Sequence, residues 1–323
     1  MLEKSQSVAA AINEESLMMK PNRRTSILAG ALGLALLAAS CGSDAAESAD
    51  LTTADQSTTD ATTDEASDET SEDAEASAEV VVGSNRSCDD IAALFVTAGS
   101  VNAELDAPEV SGTCDGDSIV VTSNGIPDYT YIETSPGSPG AANYTFTIPA
   151  APAMADEVTD VPDLGTAAVA LNGVPIYGPT EGTGGDVLSL AGALSECGSH
   201  NGPTGFHIHQ ILTTDNTDCL FTPAEVAAAP QLVGYAFDGY PIYTGIDQYT
   251  SSWELTDESL FATDTWAAHS YVEGSGDLDQ CNGLTDAAGN YAYYTTETFP
   301  YVIGCYSGVV DVQASGGGGG GGR

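Results

Sequence analysis

Asn172-Gly-Val-Pro-Ile-Tyr177 recurs as Asp238-Gly-Tyr-Pro-Ile-Tyr243 in this 323-residue chain. In each copy the Asn or Asp with the following Gly predicts a turn, Pro restricts φ, and Ile-Tyr begins a strand. Each copy is followed by a cysteine, an aromatic segment and a second cysteine; the two segments are Phe206-His-Ile-His209 and Tyr291-Ala-Tyr-Tyr294. We therefore expect a duplicated, pseudo-symmetric module in which only the first copy keeps histidines.

Outside the hexapeptides, short β-branched and aromatic runs separated by Gly, Pro, Asn and Asp dominate residues 81–310. They predict strands at residues 118–122, 144–148, 167–171 and 232–237. Short helices are expected at residues 89–97, 187–194 and 223–229. The expected fold class is mainly β, a single disulfide-bonded, sandwich-like all-β domain with short helices and an internal pseudo-repeat. Residues 81–165 would form its N-terminal β part, and residues 166–310 the duplicated module.

Six cysteines lie in this region, and their even number in an exported chain predicts three disulfides. Six cysteines allow 15 connectivities. Similar loop lengths between sequence neighbours favour the pairs Cys88 with Cys114, Cys197 with Cys219, and Cys281 with Cys305.

The N-terminal region has the organisation of an export signal. Lys20, Arg23 and Arg24 supply a basic segment, and residues 27–39 form an apolar run that is too short to span a membrane. The run ends Leu37-Ala-Ala-Ser-Cys41-Gly42, which resembles the lipobox of bacterial lipoproteins. We expect residues 1–40 to be a lipoprotein-type signal peptide and Cys41 to carry a lipid that attaches the exported protein to the membrane. An ordinary cleavage site beside an incidental cysteine is the alternative.

Acidic residues set the charge of the chain, whose formal net charge is -41. Residues 41–80 contain thirteen Asp and Glu and no Lys or Arg among Ala, Ser and Thr, a composition that predicts a disordered linker. Residues 311–323 read as a flexible Gly-rich tail. From residue 81 onward there are 31 Asp and Glu but only two basic residues, Arg86 and Arg323. Electrostatic repulsion therefore excludes nucleic acid as a partner. This surplus implies either a saline habitat or calcium bound to the acidic surface.

Chemistry is concentrated in Cys197-Gly-Ser-His200-Asn-Gly-Pro-Thr-Gly-Phe206-His207-Ile208-His209. In a strand, His207 and His209 point to one face and Ile208 points to the other, into the core. His200 can return on the opposite arm of a turn and supply a third nitrogen. Three imidazoles favour copper or zinc over calcium or magnesium, which prefer oxygen ligands. The alternative is a structural hairpin whose imidazoles bond loop carbonyls.

Three carboxylates are further candidates, as metal ligands or as groups that orient a ligand imidazole: Glu196, Asp186 and Asp238. No Gly-x-Ser-x-Gly elbow, phosphate loop, dinucleotide fingerprint or His-Glu-x-x-His occurs in the chain. The reaction, and whether there is one, therefore stays open.

An ordered series of motifs over about residues 119–308 resembles the YHYH domain family of secreted proteins. The matching segments are Ser123-Asn-Gly-Ile-Pro-Asp128, Leu171-Asn-Gly-Val174, Cys197-Gly-Ser-His200, Gly234-Tyr-Ala-Phe-Asp-Gly-Tyr-Pro-Ile-Tyr243, Leu278-Asp-Gln-Cys-Asn-Gly283 and Phe299-Pro-Tyr-Val-Ile-Gly-Cys-Tyr306. In the strand that names the family, Phe206 and Ile208 stand where it has tyrosines, while both histidines are kept. The resemblance implies an architecture and no reaction. Keeping the histidines without the phenols favours a nitrogen-ligand role.

Fourteen tyrosines and two tryptophans suggest a second class of function, a non-enzymatic module that binds a surface polysaccharide or another surface polymer. Aromatic rings can stack on sugars. In this hypothesis Trp253, Trp266 and Tyr271 line the binding groove.

Overall fold

Both copies of the repeated hexapeptide lie in one sheet of eight strands. This sheet is seen in a computed structural model that describes residues 86–135 and 137–310. The helices there are α1 (Cys88–Ala92), α2 (Pro223–Ala228) and α3 (Thr265–Ala268). The strands before the first histidine are β1 (Val110–Asp115), β2 (Ser118–Ser123), β3 (Tyr144–Pro149), β4 (Met154–Asp160), β5 (Thr166–Ala170) and β6 (Pro175–Tyr177). The later strands are β7 (Ser199–Gly202), β8 (Gly205–Ile208), β9 (Leu232–Ala236), β10 (Pro241–Tyr243), β11 (Trp253–Leu255), β12 (His269–Tyr271), β13 (Gly283–Thr285), β14 (Tyr291–Tyr294) and β15 (Cys305–Gly308).

The order of strands in the large sheet is β13-β14-β10-β9-β5-β6-β8-β7, which is symmetric about its centre. Strands β5 and β9 pair antiparallel, with Val169 opposite Tyr235, the residues at equivalent positions of the two copies. Outward from this centre each copy adds the second strand of its hairpin, then a parallel strand, then an antiparallel edge strand. The duplication expected from the hexapeptides is therefore present as a pseudo-twofold sheet.

The hexapeptides form the turns of the two central hairpins. Gly173 has φ 84° and Gly239 has φ 92°, a region of backbone conformation that glycine adopts without steric cost. A Cβ atom at Gly239 would also lie 2.7 Å from the carbonyl oxygen of Pro149. Glycine is required in these turns both by the backbone angle and, at Gly239, by close packing.

A second layer covers the large sheet. Strands β1, β2 and β3 form an antiparallel sheet whose buried side chains, such as Ile119 and Phe146, share one core cluster with Val169 and Ile176 of the large sheet. The ring of Phe146 stacks on Phe237 at a centroid distance of 5.7 Å. Burial of each such side chain stabilises the fold by about 1.5–3 kcal/mol.

The mainly β class with short helices is confirmed, and the four strands predicted from sequence correspond to β2, β3, β5 and β9. Two helices are shorter than expected. Helix α1 ends at Ala92, because the chain beyond it turns so that Phe95 enters the core. Residues 187–189 form a single 3-10 turn in which the Asp186 side chain accepts the N–H of Leu188.

All three expected disulfides are present: Cys88–Cys114, Cys197–Cys219 and Cys281–Cys305. The last two occupy corresponding places in the two copies and close loops of similar length. Within residues 86–135 and 137–310, no helix is long and apolar enough to cross a membrane. The expectations for the signal peptide (1–40), the lipid at Cys41, the acidic linker (41–80) and the tail (311–323) fall on residues outside the described ranges.

Candidate metal centre

Hairpin β7–β8, at one edge of the large sheet, brings three histidines together. His200 and His207 are direct cross-strand partners, and His209 follows two residues after His207 on the same face. The ring centroids of the three imidazoles lie 4.6, 4.8 and 5.1 Å apart. Ile208 points the other way and is buried in the main core, as the alternation of a strand predicts.

Each imidazole is held through Nδ1 by a backbone carbonyl. His200 Nδ1 lies 3.1 Å from the oxygen of Ala193, His207 Nδ1 lies 2.9 Å from that of Gly205, and His209 Nδ1 lies 2.6 Å from that of Gly178. A carbonyl oxygen only accepts hydrogen bonds, so Nδ1 carries the proton in all three rings. In the neutral rings, Nε2 is then an unprotonated nitrogen with a free lone pair.

One nitrogen of each ring lies close to the other two rings. Nε2 of His200 and Nε2 of His207 are 2.9 Å apart, and the possible ligand atoms of all three histidines lie within 4.8 Å of one another. Nε2 of His209 is buried without a hydrogen-bond partner. Two nitrogens at this distance are held together by a shared proton or by a metal cation. Three clustered imidazoles, each oriented by a hydrogen bond from its other nitrogen, provide the donor set of a metal site.

Burial keeps two of these histidines neutral. Removal from water lowers the pKa of His207 well below its ordinary value, and the neighbouring His209 and His200 lower it further. Burial likewise lowers the pKa of His209 to about 3. Arg86 is the single Lys or Arg among residues 86–135 and 137–310. At neutral pH both rings are therefore uncharged and available as nitrogen ligands.

In the metal-free protein we expect the free energy of unfolding to decrease as the pH falls from about 6.5 towards 3. Unfolded histidine binds a proton near pH 6.5, whereas folded His209 stays neutral to about pH 3. Below pH 6.5 the unfolded chain thus binds more protons than the folded protein. This lowers the free energy of unfolding by on the order of 4 kcal/mol at pH 3 for His209 alone. Urea unfolding in chelator at fixed pH measures this, with His209→Asn as the comparison. Parallel pH curves for the two proteins would contradict a neutral, buried His209.

Tyr177, at the end of β6, forms one wall of the site. Its ring stacks on His207 at 4.0 Å and 21° and meets His209 edge-on at 5.8 Å. Its hydroxyl donates to Oγ1 of Thr204 in the β7–β8 turn at 3.0 Å. On the hairpin itself, a Cβ at Gly202 would lie 2.8 Å from Cε1 of His207. The hexapeptide tyrosine, which the sequence predicts only to begin a strand, therefore also packs against two of the three imidazoles.

Glu181 is the carboxylate closest to the imidazoles in the described structure. Its Oε2 lies 3.5 Å from Nε2 of His200. Sequence analysis did not select it, because it stands apart from the histidine segment and no motif marks it. One signal could have pointed to it. Glu181 lies four residues after Tyr177, the last residue of the strand that pairs with β8.

The second copy fills the corresponding space with apolar side chains. The pairing of Leu284 with Ala292 in β13–β14 matches that of His200 with His207 in β7–β8, and Tyr294 corresponds to His209. Ala292 and Tyr294 belong to a buried apolar cluster with Tyr243 and Leu278, against which Leu284 packs. The fold therefore accommodates either three convergent imidazoles or an apolar cluster at this place.

The three carboxylates selected from sequence have other partners. Asp186 is fully buried and accepts hydrogen bonds from the Thr265 hydroxyl at 2.7 Å, the Tyr301 hydroxyl at 2.7 Å and the Leu188 N–H at 2.8 Å. Asp238 accepts from the Tyr293 hydroxyl and from the N–H groups of Gly308 and Tyr240. Glu196 is exposed and bonds Thr217. Among the described residues, Glu181 rather than these three approaches the histidines.

The aromatic residues suggested for a polymer-binding groove pack on one another. Trp253 lies 5.8 Å from Trp266 and 6.0 Å from Tyr271, and both indoles contact Phe299. The fourth histidine, His269, is buried at the start of β12, away from the other three, and stacks on Phe299 at 4.0 Å. Binding of a surface polymer stays a prediction.

Comparison with protein families gives a match to the model described as YHYH protein over residues 145–308, just over half of the chain. The matched range holds the whole eight-stranded sheet, two of the disulfides and the three histidines. Comparison with curated proteins found no significant match, and comparison with solved structures found none.

Proposed function

This chain belongs to the YHYH family, and from that premise we propose that it is an exported, lipid-anchored envelope protein that binds a copper or zinc ion through His200, His207 and His209. The observation that carries the metal proposal is the common orientation of the rings. Every Nδ1 lies beside a backbone carbonyl, and one nitrogen of each ring lies within 4.8 Å of one nitrogen of each of the other two rings. Imidazole nitrogens suit zinc and copper, whereas calcium and magnesium take oxygen ligands.

Export and anchoring are supported by the sequence. The basic and apolar segments before Cys41, the small residues that precede it, and the even set of disulfide cysteines agree with a lipoprotein outside the cytoplasm. The three disulfides within residues 86–135 and 137–310 agree with an oxidising compartment. The metal would then be taken up from the cell exterior.

Metal analysis of the full-length protein purified from its native membrane tests both parts of the proposal. We expect about one copper or zinc ion per chain, and recovery in the detergent phase after phase separation. Protein that is metal-free and takes up neither Cu²⁺ nor Zn²⁺ on dialysis would overturn the metal assignment. Recovery in the aqueous phase would overturn the anchor and leave the metal assignment standing.

A further inference from the structure

Glu181 turns one carboxylate oxygen towards His200, one of the three clustered imidazoles. Its Oε1 atom accepts a hydrogen bond of 2.8 Å from the N–H of Gly182. The other oxygen, Oε2, is buried without a hydrogen-bond partner and lies 3.5 Å from Nε2 of His200. One oxygen is thus held by the backbone while the other lies unsatisfied beside the histidine nitrogens. A buried, unsatisfied carboxylate oxygen is costly unless a cation or donor compensates it.

The spacing of these atoms agrees with direct coordination. Two donor atoms bound tetrahedrally to one zinc ion at about 2.0–2.1 Å lie about 3.3–3.4 Å from each other. The separation of 3.5 Å between Glu181 Oε2 and His200 Nε2 is close to that value. A carboxylate that acted only on a metal-bound water would stand one layer further from the nitrogens. We propose that Glu181 is the fourth ligand of the metal ion, an inference that rests on the metal binding proposed above.

The turn that carries Glu181 is well anchored. The N–H of Glu181 donates to the carbonyl of Gly185 at 2.8 Å, and that of Gly184 donates to the carbonyl of Glu181 at 2.7 Å. Thr180 and Asp186 form a bridge at the base of the turn, and Asp186 is fixed by its buried hydroxyl partners. A Cβ at Gly185 would lie 2.3 Å from backbone atoms of Ala262. Asp186 was a ligand candidate in the sequence. In the structure it holds the turn that carries Glu181, and it is therefore a positioning residue for the proposed ligand.

Coordination by Glu181 gives the site a closed set of three neutral imidazoles and one carboxylate. Closed four-coordinate sites hold a metal firmly, whereas catalytic zinc sites leave a position open for water or substrate. The carboxylate also neutralises part of the charge of a divalent ion in a buried environment. A closed set of this kind suits an ion that is held for structure, storage or transfer.

Cobalt substitution separates the closed site from an open one, because the visible absorption of Co²⁺ reports coordination number and bound anions. The full-length protein is loaded with Co²⁺ and titrated with azide. We expect wild-type protein to give an intense four-coordinate spectrum that azide leaves unchanged. Glu181→Gln keeps the shape of the side chain but weakens the ligand, so its Co²⁺ spectrum should shift on adding azide. Its zinc affinity should fall by at least about 10- to 100-fold, the loss typical of removing even an outer-shell partner.

Glu196→Gln is the matched control, because it removes the same charge from an exposed carboxylate that bonds Thr217. It should behave as wild type, and Glu181→His, which restores a donor, should regain most of the affinity. If wild type binds cobalt and zinc but Glu181→Gln has the same affinity, spectrum and azide response, the fourth-ligand assignment is overturned while the histidine site stands. If wild type binds neither ion, both proposals fall.

Discussion

The His200→Leu/His207→Ala double variant should purify without stoichiometric copper or zinc. These substitutions copy Leu284 and Ala292, the paired residues at the equivalent place in the second copy, so the backbone is expected to accept them. A single remaining imidazole, His209, cannot retain the ion. The free energy of zinc binding at a structural site is about 10–16 kcal/mol and comes from a few ligands. Removing two of these ligands should therefore lower the affinity on the order of 1,000-fold or more. Mass spectrometric metal analysis and competition with a chromogenic chelator measure the loss.

Thermal unfolding separates a metal site from a structural hairpin. In chelator the double variant should still fold cooperatively, because apolar side chains fill the equivalent place in the second copy. Its stability should fall only by the loss of the hydrogen bonds to the carbonyls of Ala193 and Gly205, about 1–3 kcal/mol each. Added metal should stabilise only wild type, by about 4 kcal/mol at 1,000 times its dissociation constant. His269→Ala removes a histidine outside the site and should keep the metal. A double variant that fails to fold, beside a wild type that gains nothing from metal, would favour the structural alternative.

Asp238→Ala should lower the free energy of unfolding by about 3–5 kcal/mol. The Asp238 carboxylate is fully buried and accepts hydrogen bonds from the Tyr293 hydroxyl and two backbone N–H groups. Alanine leaves these donors buried and unsatisfied, which costs about 1–3 kcal/mol for each group that cannot find water. Equilibrium unfolding in urea, monitored by tyrosine and tryptophan fluorescence, gives the difference.

Asp238→Asn is the natural control, because Asn172 occupies the same turn position in the first copy. It keeps an accepting oxygen and should cost only about 1–2 kcal/mol. Metal content should be unchanged in both variants, since the carboxylate serves the second copy and not the histidines. If Asp238→Ala instead kept its stability and lost its metal, the original expectation of Asp238 as a ligand or ligand partner would be right.

Local rules account for much of what could be predicted. The turn glycines Gly173 and Gly239, the inward Ile208 and the three nearest-neighbour disulfides each follow from a few adjacent residues or from short loops. The shared face of His207 and His209 follows from the two-residue period of a strand. The duplication was visible because both copies keep the same turn chemistry.

Contacts between distant segments could not be predicted in this way. His209 is oriented by the carbonyl of Gly178 and faces the ring of Tyr177, which are the residue after β6 and the last residue of β6. Glu181 reaches His200 because the parallel pairing of β6 with β8 sets the two strand ends side by side. Of the carboxylates chosen for their sequence environment, Asp186 and Asp238 serve other buried networks and Glu196 is exposed.

The residues alone predict the class of fold, the duplicated hairpins, the disulfide pairs and the three imidazoles of the candidate site, because each depends on local backbone geometry and residue chemistry. Strand pairing across the sheet was needed to show which carbonyl orients each ring, which carboxylate lies beside His200, and that the second copy is apolar at the same place. Those features depend on carbonyls and side chains brought together by strand pairing across the sheet, and no spacing along the chain encodes such distances.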